Sequence, residues 1–102
     1  MSTETILRPK LAPKENLAEP SLFNVIYMND NETTMEFVIE SLKIVFDYTE
    51  EDAAFVTIKI HEDGSAVVAT LPYEMAEQKG IEVTLLARNN GFPLNVKLEV
   101  AQ

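Results

Sequence analysis

The clearest local pattern in this sequence is an apolar repeat of helical spacing between residues 34 and 47. Thr33 and Glu36 stand just before and within its first turn, at the spacing of a capping box. The apolar residues share one face of a helix, which predicts a helix over about residues 34–47 with that face buried. These apolar residues are Met35, Val38, Ile39, Leu42, Val45 and Phe46.

Segments rich in strand-forming residues lie before and after this helix. Residues 22–28 read LFNVIYM and run directly into a turn-prone Asn-Asp-Asn sequence. Residues 66–71 form a short apolar run, and residues 94–100 alternate between apolar and polar side chains. We therefore predict three strands, of which the last is half-buried.

Two further segments are predicted to be helical. Thr49 marks a helix start, and we predict a helix that ends near Gly64, although the β-branched residues of the segment 55–60 also fit a strand locally. A third helix is predicted over about residues 72–89, because it opens on a proline and Gly91 follows its end.

The predicted order β-α-α-β-α-β indicates an α+β single domain, with a small antiparallel three-stranded sheet packed against helices. The chain has 102 residues, 46% of them hydrophobic, which is enough for one modest core. Residues 22–102 are expected to form this domain. Residues 1–21 mix Pro, Lys and Glu without apolar periodicity, so we predict a flexible N-terminal tail. A monomer is expected, because a single small core needs all the apolar faces.

Charge and composition argue against several classes of function. Seventeen acidic and eight basic residues give a net charge of −9, which repels nucleic acids and anionic lipids. The chain has no cysteine, a single histidine (His61) and no phosphate-binding glycine loop. We therefore expect no nucleic acid or membrane partner, no metal and no cofactor. The absence of a secretory signal or a membrane-length apolar run leads us to expect a cytoplasmic protein.

Several short motifs resemble, in order and spacing, those of the ClpS family of Clp protease adaptors. The resemblance runs from Leu22 to the C-terminus, and the motifs in it are specific as a set, although each is weak alone. They are Asn29-Asp30, residues 34–39 (TMEFVI), His61 with Gly64, residues 76–79 (AEQK), residues 87–89 (ARN) and Pro93-Leu94.

The resemblance implies a non-enzymatic adaptor that binds the free amino-terminal residue of an N-degron, usually Leu, Phe, Tyr or Trp. It implies docking on the N-terminal domain of a Clp unfoldase, either ClpA or ClpC. Asn29, Asp30 and His61 would then accept hydrogen bonds from the substrate's amino group. The other implied site residues are Met35, Val38, Thr57 and Leu94 in a hydrophobic pocket, and Glu74 and Lys79 on the docking face.

Several of these residues also have an ordinary structural interpretation. Met35 and Val38 on an amphipathic helix are commonly core residues, and an Asn-Asp-Asn sequence after a strand is commonly a turn. A lone histidine such as His61 is commonly a surface residue. The charges of Glu74 and Lys79 also fit a solvated helix face.

Thr57 stands where the family often has a methionine that closes the pocket. A shorter, polar side chain there changes the volume available to the substrate, and we expect aromatic first residues to be preferred over Leu. Two other functions stay open from the sequence. One is a modulator that docks on the unfoldase with a degenerate pocket, and the other is a small hydrolase that uses Asp30 and His61.

Overall fold

The computed structural model describes residues 21–102, and its element order is β-α-α-β-α-β, as predicted. Apart from Ser21, the predicted flexible tail lies outside the described residues. Within the described part of the chain, no helix has both the length and the apolar character needed to cross a membrane. The elements are β1 (Leu22–Met28), α1 (Met35–Phe46), α2 (Glu50–Asp63), β2 (Ser65–Pro72), α3 (Tyr73–Asn89) and β3 (Asn95–Val100).

The central strand of the sheet is β1, which pairs antiparallel with β2 on one edge and with β3 on the other. Tyr27 of β1 lies opposite Ala66 of β2 and Val96 of β3. A register shift between Val25 and Ile26 bends the pairing with β2. A strand that is paired on both edges cannot slide without breaking both ladders, so the position of its last residue is fixed.

The first turn of α1 differs from the predicted capping box. Thr34 is the N-cap, and its Oγ1 accepts a hydrogen bond from the backbone N–H of Phe37 at 3.1 Å. The hydroxyl of Thr33 instead donates to Oδ2 of Asp30 at 2.7 Å. The predicted cap at Thr33 and Glu36 is therefore wrong by one residue, because the carboxylate of the preceding loop engages the first of two adjacent threonines.

A helix forms at α2, where the β-branched residues also fitted a strand. The side chain of Thr49 caps its start by accepting a hydrogen bond from the backbone N–H of Asp52 at 3.1 Å. Gly64 ends it with a φ of 91°, and its N–H bonds the carbonyl of Ile60 at 2.9 Å. Caps at both ends and burial of one face against α1 and β2 stabilise the helix over the local strand preference.

One buried hydrogen bond joins β1 to α1. Tyr27 is fully buried, and its hydroxyl lies 2.8 Å from Oγ of Ser41. The Ser41 hydroxyl donates to the carbonyl of Val38 at 2.8 Å, so its only proton is used and Tyr27 is the donor to Ser41. Burial raises the pKa of Tyr27 far above its ordinary value, which keeps the phenol protonated. The turn of α1 that carries Val38 is thereby held against β1.

The substitution Tyr27→Phe is expected to lower the free energy of unfolding by about 1 kcal/mol, since it removes one buried hydrogen bond and keeps the ring. Tyr73→Phe is the matched control, because the Tyr73 hydroxyl also donates to a side chain, Glu77 at 3.2 Å, but both residues are exposed. Urea unfolding followed by circular dichroism measures both. Equal losses in the two variants would contradict the role assigned to the buried bond.

Candidate functional site

A cavity of about 320 Å³ opens where the end of β1, the start of α1 and the last turns of α2 meet. Its volume lies in the range of small-ligand sites. It brings together predicted site residues from all three segments, two from each. The lining residues are Asn29, Asp30, Asn31, Thr33, Met35, Val38, Thr57, Ile60 and His61.

One backbone hydrogen bond ties the end of β1 to the end of α2. The N–H of Asn29 donates to the carbonyl of Gly64 at 2.9 Å. Gly64 can present its carbonyl there because it has a left-handed φ, which glycine adopts without steric cost. His61 lies three residues earlier on the last turn of α2, so this bond brings Asn29 and His61 to the same mouth of the cavity.

The carboxylate of Asp30 organises the loop between β1 and α1. Its Oδ1 accepts hydrogen bonds from the backbone N–H of Glu32 at 2.8 Å and of Thr33 at 2.7 Å. Its Oδ2 accepts the Thr33 hydroxyl at 2.7 Å. A carboxylate has about four acceptor positions, so three hydrogen bonds leave room for one more, directly or through a water molecule.

The surroundings of Asp30 favour its ionised form. Partial burial alone would raise the pKa of this carboxyl, but the hydrogen bonds from Thr33 and Glu32 and the positive charge of Arg88 outweigh that effect, and the pKa is lowered. The candidate site therefore holds a fixed negative charge at neutral pH.

The cavity is polar at its mouth and largely apolar inside. Asn29 and His61 are exposed, and Asp30 is half-buried. Val38 is 6% exposed and Ile60 is 3% exposed. Hydrogen-bond acceptors therefore surround the entrance, and aliphatic side chains form the inner wall. Such a cavity suits a ligand with a cationic or donor-rich head and an apolar side chain.

Two of the predicted pocket residues, Met35 and Thr57, lie at different depths of the cavity. Met35 is 42% exposed at the start of α1, so its side chain borders the opening of the cavity. Thr57 is 3% exposed and lines the inner wall. The interpretation of Met35 as a plain core residue is excluded by its exposure, whereas Val38 belongs to both the core cluster and the cavity wall.

The structure places Leu94 in the hydrophobic core and not among the lining residues of the cavity. It is 1% exposed and precedes β3. Arg88 donates to its carbonyl at 2.9 Å and to that of Phe92 at 3.0 Å, which holds this segment against the end of α3. Residues 92–94 are therefore positioned by α3, and Leu94 fills the core beside that helix.

Three lining residues were not predicted as site residues, namely Asn31, Thr33 and Ile60. Thr33 carries a recognisable signal, because a hydroxyl residue three positions after Asp30 suits a side-chain-closed turn. Ile60 lies three residues after Thr57 and so shares its face of α2. For Asn31 the sequence holds no such signal beyond its place in the loop.

The predicted docking residues lie on α3 and do not line this cavity. Glu74 is exposed in the first turn of the helix. Lys79 is half-buried, and its Nζ lies 3.7 Å from Oε1 of Glu82. Both charges are available to solvent on a helix separate from the cavity.

A second cavity, of about 270 Å³, lies between α3 and β3. Its wall is mainly aliphatic and offers a single carboxylate, that of Glu77, so it lacks the group of acceptors that the first cavity has. The residues around it are Glu77, Gly80, Ile81, Thr84, Leu85, Val96 and Leu98. Within residues 21–102, no group of three His, Cys, Asp or Glu residues is placed to hold a metal ion.

The fold and the site define a small α+β binding domain with a polar-mouthed, apolar-walled cavity. Residues 18–97 match the family model described as ATP-dependent Clp protease adaptor protein ClpS. The chain belongs to the ClpS family. ClpS proteins are adaptors of the Clp protease and are not themselves proteases.

Individual relatives agree with the family match. The chain is 39% identical over 99 residues to the ATP-dependent Clp protease adapter protein ClpS of Nautilia profundicola, covering 97% of this chain and 98% of that protein. It is 41% identical over 83 residues to the ClpS of Wolinella succinogenes, covering 81% of each chain. The solved structure of Agrobacterium tumefaciens ClpS2 bound to L-phenylalaninamide is similar, with a TM-score of 0.79 and 38% identity over 81% of this chain and 100% of that chain.

Removal of the Asp30 carboxylate is expected to destabilise the fold in a pH-dependent way. Because folding lowers the pKa of Asp30, its contribution is present above the ordinary value of 3.8 and is lost as the pH falls through the lower folded value. Asp30→Ala should lose about 1 kcal/mol at pH 7 and little at pH 2. Urea unfolding across this pH range measures the difference from wild type.

The control is Asp63→Ala, since Asp63 is an exposed carboxylate that lies 3.7 Å from Nζ of Lys59. Exposed pairs of this kind contribute little to stability. A loss for Asp30→Ala that is the same at pH 7 and pH 2 would show that the ionised carboxylate does not organise the loop.

Proposed function

We propose that this chain binds the free amino-terminal residue of N-degron substrates in the cavity between β1, α1 and α2 and delivers these substrates to a Clp AAA+ unfoldase for degradation. The observation that carries the proposal is the convergence of Asn29, Asp30 and His61 at the mouth of one cavity with an apolar inner wall. The ligand named for the Agrobacterium tumefaciens relative, L-phenylalaninamide, combines a free amino group with an aromatic side chain. These are the two chemical features that the cavity suits.

The amino group of the substrate would bind at the mouth. An ammonium group carries three N–H donors, and taking it out of water without acceptors costs several kcal/mol. Three acceptors match that number of donors: the amide oxygen of Asn29, an acceptor nitrogen of the His61 ring and the remaining acceptor position of Asp30. The ionised Asp30 also compensates the positive charge.

The first side chain of the substrate would enter the apolar interior. Met35 borders the opening, and Val38 and Ile60 form the wall. Burial of a side chain such as Phe contributes about 1.5–3 kcal/mol, which corresponds to millimolar affinity at best. The amino-group contacts must therefore supply a large part of the binding free energy. Peptides with a blocked terminus should bind poorly for this reason.

The unfoldase would bind through α3. Glu74 and Lys79 present opposite charges there and leave the cavity free, so substrate and unfoldase can be held at the same time. We assign the N-terminal domain of ClpA or ClpC as the docking partner. Charged groups at the edge of an interface act mainly through orientation and association rate.

The hydrolase alternative has little support in the geometry. Both oxygens of Asp30 are engaged by the backbone and hydroxyl of the following loop, at 2.7–2.8 Å. Within residues 21–102 no hydrogen bond joins Asp30 to His61, so the pair lacks the base and orienter arrangement that a hydrolytic site uses.

Fluorescence anisotropy with peptides that differ only in a free or acetylated terminal Phe tests the binding function. Acetylation should weaken binding by about 100-fold, because it removes the charge and two donors. His61→Ala should weaken binding of the free peptide by about tenfold. The control is Glu62→Gln, an exposed neighbour on α2 that does not line the cavity and should leave binding unchanged. Equal affinity for free and acetylated peptides would rule out the proposed function.

Docking is tested with two lysines that each lie near an acidic residue of their own helix. Lys79 and Lys59 each lie 3.7 Å from an acidic residue one turn later on the same helix. Lys79→Glu should weaken binding to the isolated N-terminal domain of ClpA or ClpC by about tenfold, and Lys59→Glu should not. Peptide binding should be the same for Lys79→Glu and wild type. Docking that is equally weakened by both substitutions would point to net charge rather than to α3.

A further inference from the structure

Thr57 carries an unpaired polar atom in the wall of the cavity. Thr57 is 3% exposed, and its Oγ1 is the one buried side-chain polar atom within residues 21–102 without a hydrogen-bond partner. Buried polar side chains in native proteins are almost always paired, because a buried donor or acceptor without a partner loses its hydration without compensation. The hydroxyl of Thr57 is therefore available to a group that the protein itself does not supply.

The other serine and threonine within the helices of residues 21–102 pair with the backbone of the preceding turn. The hydroxyl of Thr84 donates to the carbonyl of Gly80 at 2.9 Å, and that of Ser41 donates to the carbonyl of Val38 at 2.8 Å. This is the ordinary way for a helix to satisfy a hydroxyl. Thr57 does not use it: its hydroxyl is unpaired, and Thr57 is one of the residues that line the cavity.

Thr57 lies deeper in the cavity than His61, near where the inner end of a bound side chain would lie. Thr57 and His61 are four residues apart on α2, so they share a face and are separated by about 6 Å along the axis. His61 is exposed at the mouth and Thr57 is buried further in. The neighbouring wall residues Val38 and Ile60 are aliphatic. An aromatic side chain whose amino group sits beside His61 would therefore bring its tip towards the hydroxyl of Thr57.

We infer that the hydroxyl of Thr57 forms a hydrogen bond with the tip of the substrate's first side chain. The chain consequently prefers tyrosine to phenylalanine as the first residue of a substrate. The inference rests on the proposed function and assigns a specificity to the same cavity. A phenol both donates and accepts a hydrogen bond, as the hydroxyl of Thr57 does. Phenylalanine would fill the same space and leave that hydroxyl unpaired, as it is in the free chain, so only tyrosine gains a hydrogen bond there on binding.

The test compares peptides that begin with Tyr or Phe and are otherwise identical, each with a free or an acetylated terminus, by fluorescence anisotropy. For the wild-type chain the free Tyr peptide should bind roughly tenfold more tightly than the free Phe peptide. Thr57→Val keeps nearly the same shape without the hydroxyl and should reduce this ratio to about twofold or less. Thr57→Ser keeps the hydroxyl and should retain the Tyr preference.

The outcomes distinguish a failure of the role inferred for Thr57 from a failure of the proposed function. Equal wild-type affinities for the free Tyr and Phe peptides would overturn the role of Thr57. A Tyr preference that persists in Thr57→Val would overturn it as well. In either case, tight binding of both free peptides would leave the proposed function standing. Failure of every free peptide to bind better than its acetylated form would overturn both. Circular dichroism of each variant verifies that the fold is intact, and the Tyr-to-Phe ratio within one variant is unaffected by its overall stability.

Discussion

The central strand β1 is hydrogen-bonded on both edges, and this double pairing sets where the rest of the molecule lies. Because its register is fixed by β2 and β3 together, the loop that leaves it starts from a fixed point. The buried hydroxyl of Tyr27 then joins β1 to α1, and the N–H of Asn29 joins its end to Gly64 at the end of α2. The end of β1, the start of α1 and the end of α2 are thereby brought to one cavity.

The interior and the mouth of the cavity would contribute to the free energy of ligand binding in different ways. The apolar wall of Val38 and Ile60 rewards burial of almost any large aliphatic or aromatic side chain. The acceptors at the mouth suit a cationic, donor-rich group such as a free amino group. Leaving Asn29 and His61 without a ligand costs little, because both are exposed to water. Under the proposed function, selectivity for a chain terminus would come from the polar mouth, and discrimination among first residues would come from the interior.

Much of the fold was predictable because its signals are local. Caps and apolar periodicity place α1 and α2 within one residue of their observed ends, and a proline and a glycine bracket α3. The choice between Thr33 and Thr34 as N-cap was not predictable from spacing, since it depends on which hydroxyl the Asp30 carboxylate engages. Capping is local, but the competitor for the hydroxyl lies in the preceding loop.

The candidate site was predictable only through the resemblance of its motifs to a family. Periodicity can say that Val38 faces inward, but not that the ends of β1 and α2 meet at Asn29 and Gly64, because that contact joins residues far apart in sequence. The place of Leu94 in the core depends in the same way on tertiary packing, through the hydrogen bond that its carbonyl accepts from Arg88. The unpaired hydroxyl of Thr57 is a property of the folded structure alone.

The central claim is that the cavity between β1, α1 and α2 is where a free amino terminus binds. A titration of the ¹⁵N-labelled chain with L-phenylalaninamide, followed by amide NMR shifts, tests it most directly. If the claim holds, the shifts are concentrated in residues 29–38 and 57–64, and the N-acetylated compound causes none. Shifts centred on the second cavity, at residues 80–85 of α3 and 96–98 of β3, or equal shifts with the acetylated compound, would contradict it.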